Sequence, residues 1–232
     1  MSNLAGNEQR IQAASFSKTY AGLKALDFPG FTFQKGRVYG VIGPNGNGKS
    51  TLAKALAGVL AADGKRKAGG LLLPETCIRY MPQRSFAFRL RTIDNIRLAA
   101  DSASKAKELL SALALEEQAG TPAKRLSGGE TAKMALARVL AQPCDLLILD
   151  EPTASMDMHA TLTAERLVAT YCEEQKPAVL WISHSLAQIR RVADEVLFLW
   201  DGQLLESGLT HQIFADPKQE ETRRFLAYLG AV

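Results

Sequence analysis

Apolar and polar positions change rhythm twice along the chain. Weak alternation over Ile11–Phe16 predicts an edge strand, and the aromatic-rich Phe28–Phe33 predicts another. Arg37–Ile42 (RVYGVI) is short and β-branched, the pattern of a buried strand. It runs into Gly43-Pro44-Asn45-Gly46-Asn47-Gly48, whose composition is that of a loop. Lys49–Leu60 has helical content, with Gly64 as its stop signal, and Leu71–Leu73 and Cys77–Met81 are short strand candidates. From Leu90 to Gln142 alanine, leucine, lysine and glutamate dominate and strand signals vanish. Thr92 is placed to cap a short helix; Leu109, Leu110, Leu113 and Ala114 form a helical stripe within Lys105–Leu115; Ala132–Ala141 is a further helix. The β rhythm then returns. Leu146–Leu149, Ala178–Ile182 and Val196–Trp200 read as strands, alternating with helices at His159–Gln175 and Leu186–Ala193. Asp201-Gly202 predicts a hairpin turn, and the charged tail Pro217–Leu229 a helix. Strands alternating with helices imply an α/β fold with a mostly parallel sheet covered on both faces. The expected layout is an α/β core, 1–88 and 142–232, interrupted by a helical subdomain, 89–141.

Composition narrows this only slightly. A chain of 232 residues, 47% hydrophobic and 22% charged, can bury one ordinary core. The net charge of +4 is mild and spread along the chain, at most a weak hint of an anionic neighbour such as nucleic acid or a membrane surface, and no nucleic-acid partner is expected. Cys77, Cys144 and Cys172 stand far apart without a CxxC pair, which argues against a disulfide framework or a cysteine zinc site and for a reducing compartment. Met1–Glu8 lacks a signal-peptide pattern, and no apolar run approaches the ~20 residues that span a bilayer. The expectation is an intracellular protein that docks on a membrane if it serves one.

The chemistry lies in the loops. Gly43-Pro44-Asn45-Gly46-Asn47-Gly48-Lys49-Ser50 fits G-x-x-x-x-G-K-[ST] at every fixed position, between a strand and a helix. The glycines let backbone N–H groups wrap phosphates, and the helix N-terminus, which includes Thr51, adds partial positive charge. Lys49 is expected on the β- and γ-phosphates and Ser50 on Mg²⁺. Leu146–Leu149 is followed by Asp150 and Glu151, carboxylates at the carboxyl end of a buried strand. Asp150 is the second Mg²⁺ anchor and Glu151 the candidate base for an attacking water. These motifs predict a P-loop NTPase, a RecA-like core. Between them, Ser127, Gly128 and Gly129 open the helix that contains Ala132–Ala141. They offer a second anion-binding helix N-terminus, and one chain with two phosphate-facing surfaces suggests a site shared between two chains.

Leu126-Ser127-Gly128-Gly129-Glu130, taken with the other two motifs, resembles the signature of the ATP-binding cassette family, and the resemblance covers nearly the whole chain. It implies ATP and Mg²⁺ as ligands. It places Tyr20 (SKTYAGLKALD) against adenine, with a core tyrosine as the alternative. Gln83 (YMPQR) falls where the family's Mg²⁺- and water-contacting glutamine lies, and His184 (LWISHS) where its γ-phosphate histidine lies. The alternatives are a solvated loop glutamine and a packing or capping histidine. Asp157 (ASMD) falls at the expected dimer interface. The short spacing between Lys49 and Gln83 implies a trimmed antiparallel β region. Three departures leave the phosphate-handling groups in place: Asn47 in the phosphate loop, Thr131-Ala132-Lys133 after the signature, and Ser185 after His184.

Among members of such a family, an ATPase subunit of a membrane transporter fits best. Gln83–Asn95 is rich in aromatic and apolar residues, so the resemblance makes it the docking region for a transmembrane permease. The alternative is that Phe86 and Phe88 are core residues. Phe214-Ala215-Asp216-Pro217 and EETRRFLAYL resemble importers served by an extracytoplasmic solute-binding protein, tungstate-type oxyanion importers first and amino-acid and phosphate importers next. The implied partners are a second protomer, likewise an ATPase, and the permease; the implied location is cytoplasmic, on the inner face of the cell membrane. Two readings stay open: a soluble cassette ATPase of the iron–sulfur-assembly kind, and the ATPase of an export or lipid-extraction complex.

Overall fold

The computed structural model describes residues 9–64 and 69–230; the reading of Met1–Glu8 lies outside them. Ten strands and eight helices are described. β1 (Arg10–Ala13) pairs antiparallel with β4 (Phe31–Gln34) as a small separate sheet. The main sheet has eight strands. At one edge β2 (Phe16–Tyr20) and β3 (Leu23–Phe28) form an antiparallel hairpin. β10 (Gln203–Leu209) joins that hairpin to β9 (Glu195–Trp200), with which it pairs antiparallel across the Asp201-Gly202 turn. From there the sheet is parallel through β5 (Val38–Ile42), β8 (Ala178–Ile182), β7 (Leu146–Asp150) and β6 (Ile78–Met81). The mostly parallel α/β fold with an antiparallel part is as expected.

Strands β7 and β8 are buried at every residue, which is why they read as continuous apolar runs without alternation. Two apolar clusters cover the two faces of the sheet. One packs Leu52, Ala53 and Leu56 of α1 (Lys49–Leu56) against Val41, Ile148 and Leu180. The other packs the opposite side chains, Leu147, Leu149, Val179 and Trp181, against α5 (Met158–Gln175), α6 (Leu186–Val192) and the helical segment. That segment consists of α2 (Thr92–Arg97), α3 (Ala103–Ala112), a single 3₁₀ turn (Ala123–Arg125) and α4 (Gly128–Leu140). α7 (Thr210–Ala215) and α8 (Glu220–Tyr228) follow the last strand.

Several elements differ from expectation. Ile11–Phe16 is two strands in two different sheets, because β1 pairs with β4 while β2 pairs with β3. Phe28–Phe33 is broken at Pro29-Gly30, where Gly30 has φ +89°. Leu71–Leu73 is no strand: Leu71 is buried and its carbonyl accepts from Ala14 N, outside any ladder. α1 ends at Leu56, before Gly58 turns left-handed (φ +69°), well short of Gly64. Thr92 is the first residue of α2, whose N-cap is Arg91.

Candidate active site

β5 delivers the chain to the phosphate loop at the carboxyl end of the parallel strands. Two glycines there are required by shape. Gly43 has φ +144°, and a Cβ on it would lie 2.1 Å from Leu199 O; at Gly48, with φ +88°, it would lie 2.7 Å from Ala25 O. The loop is thus pressed onto β9 and β3, and α1 starts from Gly48 with no side-chain cap on its N–H groups. Lys49 is 6% exposed. Its Nζ donates to Gly43 O (2.7 Å) and Pro44 O (2.9 Å), folding the ammonium back over the loop. Burial pulls its pKa down, against the charges of Glu151 and Asp150.

Asp150 ends β7 and is fully buried. Ser50 Oγ donates to its Oδ1 (3.2 Å), whereas Oδ2 has no hydrogen-bond partner. Burial raises the carboxyl pKa above its usual value. An orphaned carboxylate oxygen beside a serine hydroxyl, with Gln83 lining the same cleft, is an all-oxygen donor set suited to a hard divalent cation.

Glu151 turns the chain out of the sheet in a left-handed conformation (φ 52°), a strain on the order of 1–2 kcal/mol for a non-glycine residue. Its N–H donates to Ile182 O (3.0 Å), tying the turn to β8. Burial first, then the charge of Asp150, pushes its carboxyl up to about 7, with Lys49 opposing. His184 follows β8. Its Nε2 stands 3.2 Å from Glu151 Oε1 but is not aligned as a hydrogen bond, so Oε1 has no hydrogen-bond partner. Burial and the Lys49 charge lower the His184 pKa, leaving the imidazole neutral at pH 7.

These residues enclose a cleft of about 400 Å³. Asn45, Gly46, Gly48, Lys49, Ser50 and Thr51 line one side, and Gln83, Asp150, Glu151, Ile182 and His184 the other. Gly43, Pro44 and Asn47 belong to the same loop without lining the cleft. The remaining candidates stand outside it. Tyr20 ends β2, is 47% exposed and carries the Lys18 ammonium 5.4 Å from its ring centre, so it is not a core residue. Ser127 caps α4: its Oγ accepts from Glu130 N (3.3 Å) while its own N–H donates to Glu130 Oε2 (2.8 Å). Gly128 and Gly129 are the first residues of that helix, beside Ser155. Asp157 caps α5, accepting from Ala160 N (2.8 Å), next to Met158, which is 81% exposed. Phe86 and Phe88 are about half exposed and edge-to-face, and the Arg138 guanidinium of α4 lies 4.5 and 5.2 Å from their ring centres. They too are not core residues.

Sequence reasoning missed the polar group behind the Glu151 turn. Gln188 Nε2 donates to Thr153 Oγ1 (3.0 Å) and Glu165 Oε1 (2.9 Å), and Arg191 Nη2 also donates to Glu165 Oε1 (2.8 Å). Ser185, noted only as a departure, caps α6 by accepting from Gln188 N (3.2 Å). The S-x-x-E spacing of Ser127 and Glu130 was a legible capping-box signal.

Fold and cleft together define a P-loop NTPase. Residues 26–154 match the family described as ABC transporter, and the chain belongs to that family, whose ATP-binding domains hydrolyse ATP. It is similar to the tungstate uptake system ATP-binding protein TupC of Peptoclostridium acidaminophilum, 34% identical over 85% of this chain and 98% of the relative. It is also similar to a phosphate import ATP-binding protein of Natronomonas pharaonis (30% identical, 94% and 87% covered). A solved ATP-binding subunit of an ABC transporter has the same fold, with TM-score 0.78, 22% identity and 94% and 99% of the chains covered. No helix among the described residues is long and apolar enough to cross a membrane.

Proposed function

We propose that this chain is the ATP-hydrolysing subunit of a binding-protein-dependent importer of a small solute, a tungstate-type oxyanion first and phosphate or an amino acid next. The observation carrying the hydrolytic part is the Glu151 carboxylate: buried, raised to about 7 and with Oε1 lacking a hydrogen-bond partner, at the mouth of a phosphate loop. The importer part is supported by relatives named for tungstate uptake and for phosphate, amino-acid and methionine import. In this reading the chain sits at the cytoplasmic face of the membrane, with Gln83–Asn95 against a permease, and two copies close on ATP.

The loop N–H groups from Asn45 to Thr51 cradle the triphosphate. Lys49 leaves the Gly43 and Pro44 carbonyls for the β- and γ-phosphates, a stronger, charge-assisted contact. Ser50, Asp150 and Gln83 would hold Mg²⁺, whose charge offsets that of the phosphates. Glu151 takes the proton of the attacking water, and its raised pKa matches that task at neutral pH. Neutral His184 donates to the γ-phosphate and flanks Glu151. Tyr20 stacks on adenine; Ser127, Gly128 and Gly129 of one protomer face the γ-phosphate bound by the other, with Asp157 between them.

Glu151→Gln keeps size and polarity but cannot take the proton. Hydrolysis should fall roughly 10²–10⁴-fold while ATP binding survives; near-normal turnover would remove Glu151 as the base. For the transport role, tagged protein extracted from membranes should bring a multi-span membrane protein with it. Its ATPase in vesicles should rise on adding solute-loaded binding protein. Recovery only from the soluble fraction would overturn the importer assignment.

A further inference from the structure

A second cleft, about 480 Å³, adjoins the first. It shares Gln83, Asp150 and Glu151 with it and adds Lys54, Arg84 and Ser85. Lys54 lies on α1 about one and a half turns beyond Lys49, and Arg84 directly follows Gln83. Neither cation forms an ion pair among the described residues; Arg84 makes no polar contact there at all, while Lys54 acts at a distance on the Asp150 charge. Two uncommitted cations and a serine hydroxyl therefore face a cavity whose shared wall is the place where ATP is cut.

We propose that this cleft is a subsite for a tetrahedral oxyanion, with inorganic phosphate from hydrolysis as its ligand. The assignment rests on the hydrolytic reading above. In the reaction, water adds to the γ-phosphorus, the bond to the ADP oxygen breaks, and the proton passes to Glu151. Phosphate is left between ADP, which still fills the phosphate loop, and the shared wall. Lys54 and Arg84 offer a cationic lining away from ADP, and Ser85 adds a hydroxyl donor. The carboxylates repel the anion from the shared wall, which places it toward the Lys54–Arg84 end. Both cations are exposed, so binding is weak and reversible, as a product site must be.

The test is phosphate titrated into ADP-loaded protein in low-chloride buffer, read by ³¹P line broadening, which needs no hydrolysis. Arg84→Gln and Lys54→Gln should each weaken binding about 3–10-fold, the loss of one charge-assisted contact in a part-exposed site. Both side chains are on the surface, so the variants keep the fold. Undiminished binding in the double variant would overturn the proposal. So would phosphate that binds only without ADP, since that places it in the phosphate loop. The source is settled by single-turnover hydrolysis, comparing cleavage in quenched samples with free phosphate seen by a fluorescent sensor. A shorter delay between the two in the double variant supports product phosphate. An unchanged delay, with equilibrium binding still weakened, overturns the product assignment and leaves an oxyanion drawn from solution, with tungstate as the probe. Failure of the hydrolytic reading would appear separately, as near-normal turnover in Glu151→Gln.

Discussion

Gln188 offers the sharpest test of how the catalytic turn is held. The residue is 3% exposed, and its amide nitrogen bridges Thr153 of the turn after Glu151 to Glu165 of α5. Gln188→Leu keeps the volume and removes both donors. Glu165, 8% exposed, keeps Arg191 but loses one hydrogen bond to a charged acceptor, worth about 1.5–3 kcal/mol. Thr153, also 8% exposed, loses the donor to its Oγ1, about 0.5–1.5 kcal/mol. Added apolar burial returns on the order of 1 kcal/mol, so the expected net loss is about 1–3.5 kcal/mol. With a urea m-value of about 2 kcal/mol/M, the unfolding midpoint should fall by roughly 0.5–1.8 M at unchanged m. A shift under about 0.2 M would refute the energetic argument. The network also has a functional readout. Ala154 N donates to Glu151 O (3.3 Å) within the same turn, so loosening Thr153 frees the strained Glu151 backbone. Turnover should drop about tenfold or more, because small displacements of a reacting group cost that much, while the KM for ATP moves little. Stability lost with turnover intact would make the network structural only.

Three further outcomes are expected. Lys49→Ala should abolish tight ATP binding, read by titrating a fluorescent ATP analogue; unchanged affinity would contradict the phosphate-loop assignment. Tyr20→Ala should weaken ATP and GTP alike, by about 1–3 kcal/mol as stacking is lost, and leave free triphosphate unaffected; wild-type ATP affinity would remove Tyr20 from the base site. Asp145 accepts from Lys35 Nζ (2.5 Å) and Cys77 N (2.8 Å), and these two contacts outweigh burial and hold its pKa below 3.8. Asp145→Asn should therefore cost up to about 1 kcal/mol at pH 7, after allowing for partial exposure. The depressed pKa makes that contribution complete above the unfolded value. It is lost as pH falls through the folded one, so variant and wild-type unfolding curves should begin to converge only below about pH 4.

The site was legible because its residues sit in fixed spacings on loops, where backbone geometry demands particular residue types. Gly43 and Gly48 show why: neither position has room for a Cβ. The hairpin of β2 and β3 was not legible. Its turn is Ala21-Gly22, both at positive φ (48° and 82°), and Ala lacks the Asn-Gly or Asp-Gly signal that such turns usually carry. Its strands are also half exposed, so they show little alternation. Leu71–Leu73 misled for a different reason: three consecutive leucines look like a short buried strand, but among the described residues the segment joins no ladder, and Leu71 O only accepts from Ala14 N. Thr153, Glu165, Gln188 and Arg191 meet from three separate segments, and neither periodicity nor motif spacing reports a contact made only in the tertiary fold.

The two helix ends proposed to face phosphate are not equivalent. α1 begins at Gly48 without a side-chain cap, so its first N–H groups and the loop before it are open to an anion. α4 begins at Ser127 in a closed capping box, where the Glu130 carboxylate already occupies the Ser127 N–H and has its pKa lowered by that bond and by the Ser127 hydroxyl. A carboxylate at a helix N-terminus is favourable by about 0.3–1 kcal/mol and stands where a phosphate would approach. A γ-phosphate reaching α4 must displace Glu130 or use the N–H groups of Gly128 and Gly129 beside it, against residual negative charge. At the phosphate loop no carboxylate caps the helix and Lys49 gives up only neutral carbonyls, while Asp150 and Glu151 stand across the cleft, where Mg²⁺ would offset them. In the proposed reading nucleotide therefore binds the loop first and the signature helix second. In the proposed cycle this makes closure of two copies a consequence of ATP already bound, and the self-capped α4 the state to which the signature returns once the γ-phosphate has gone.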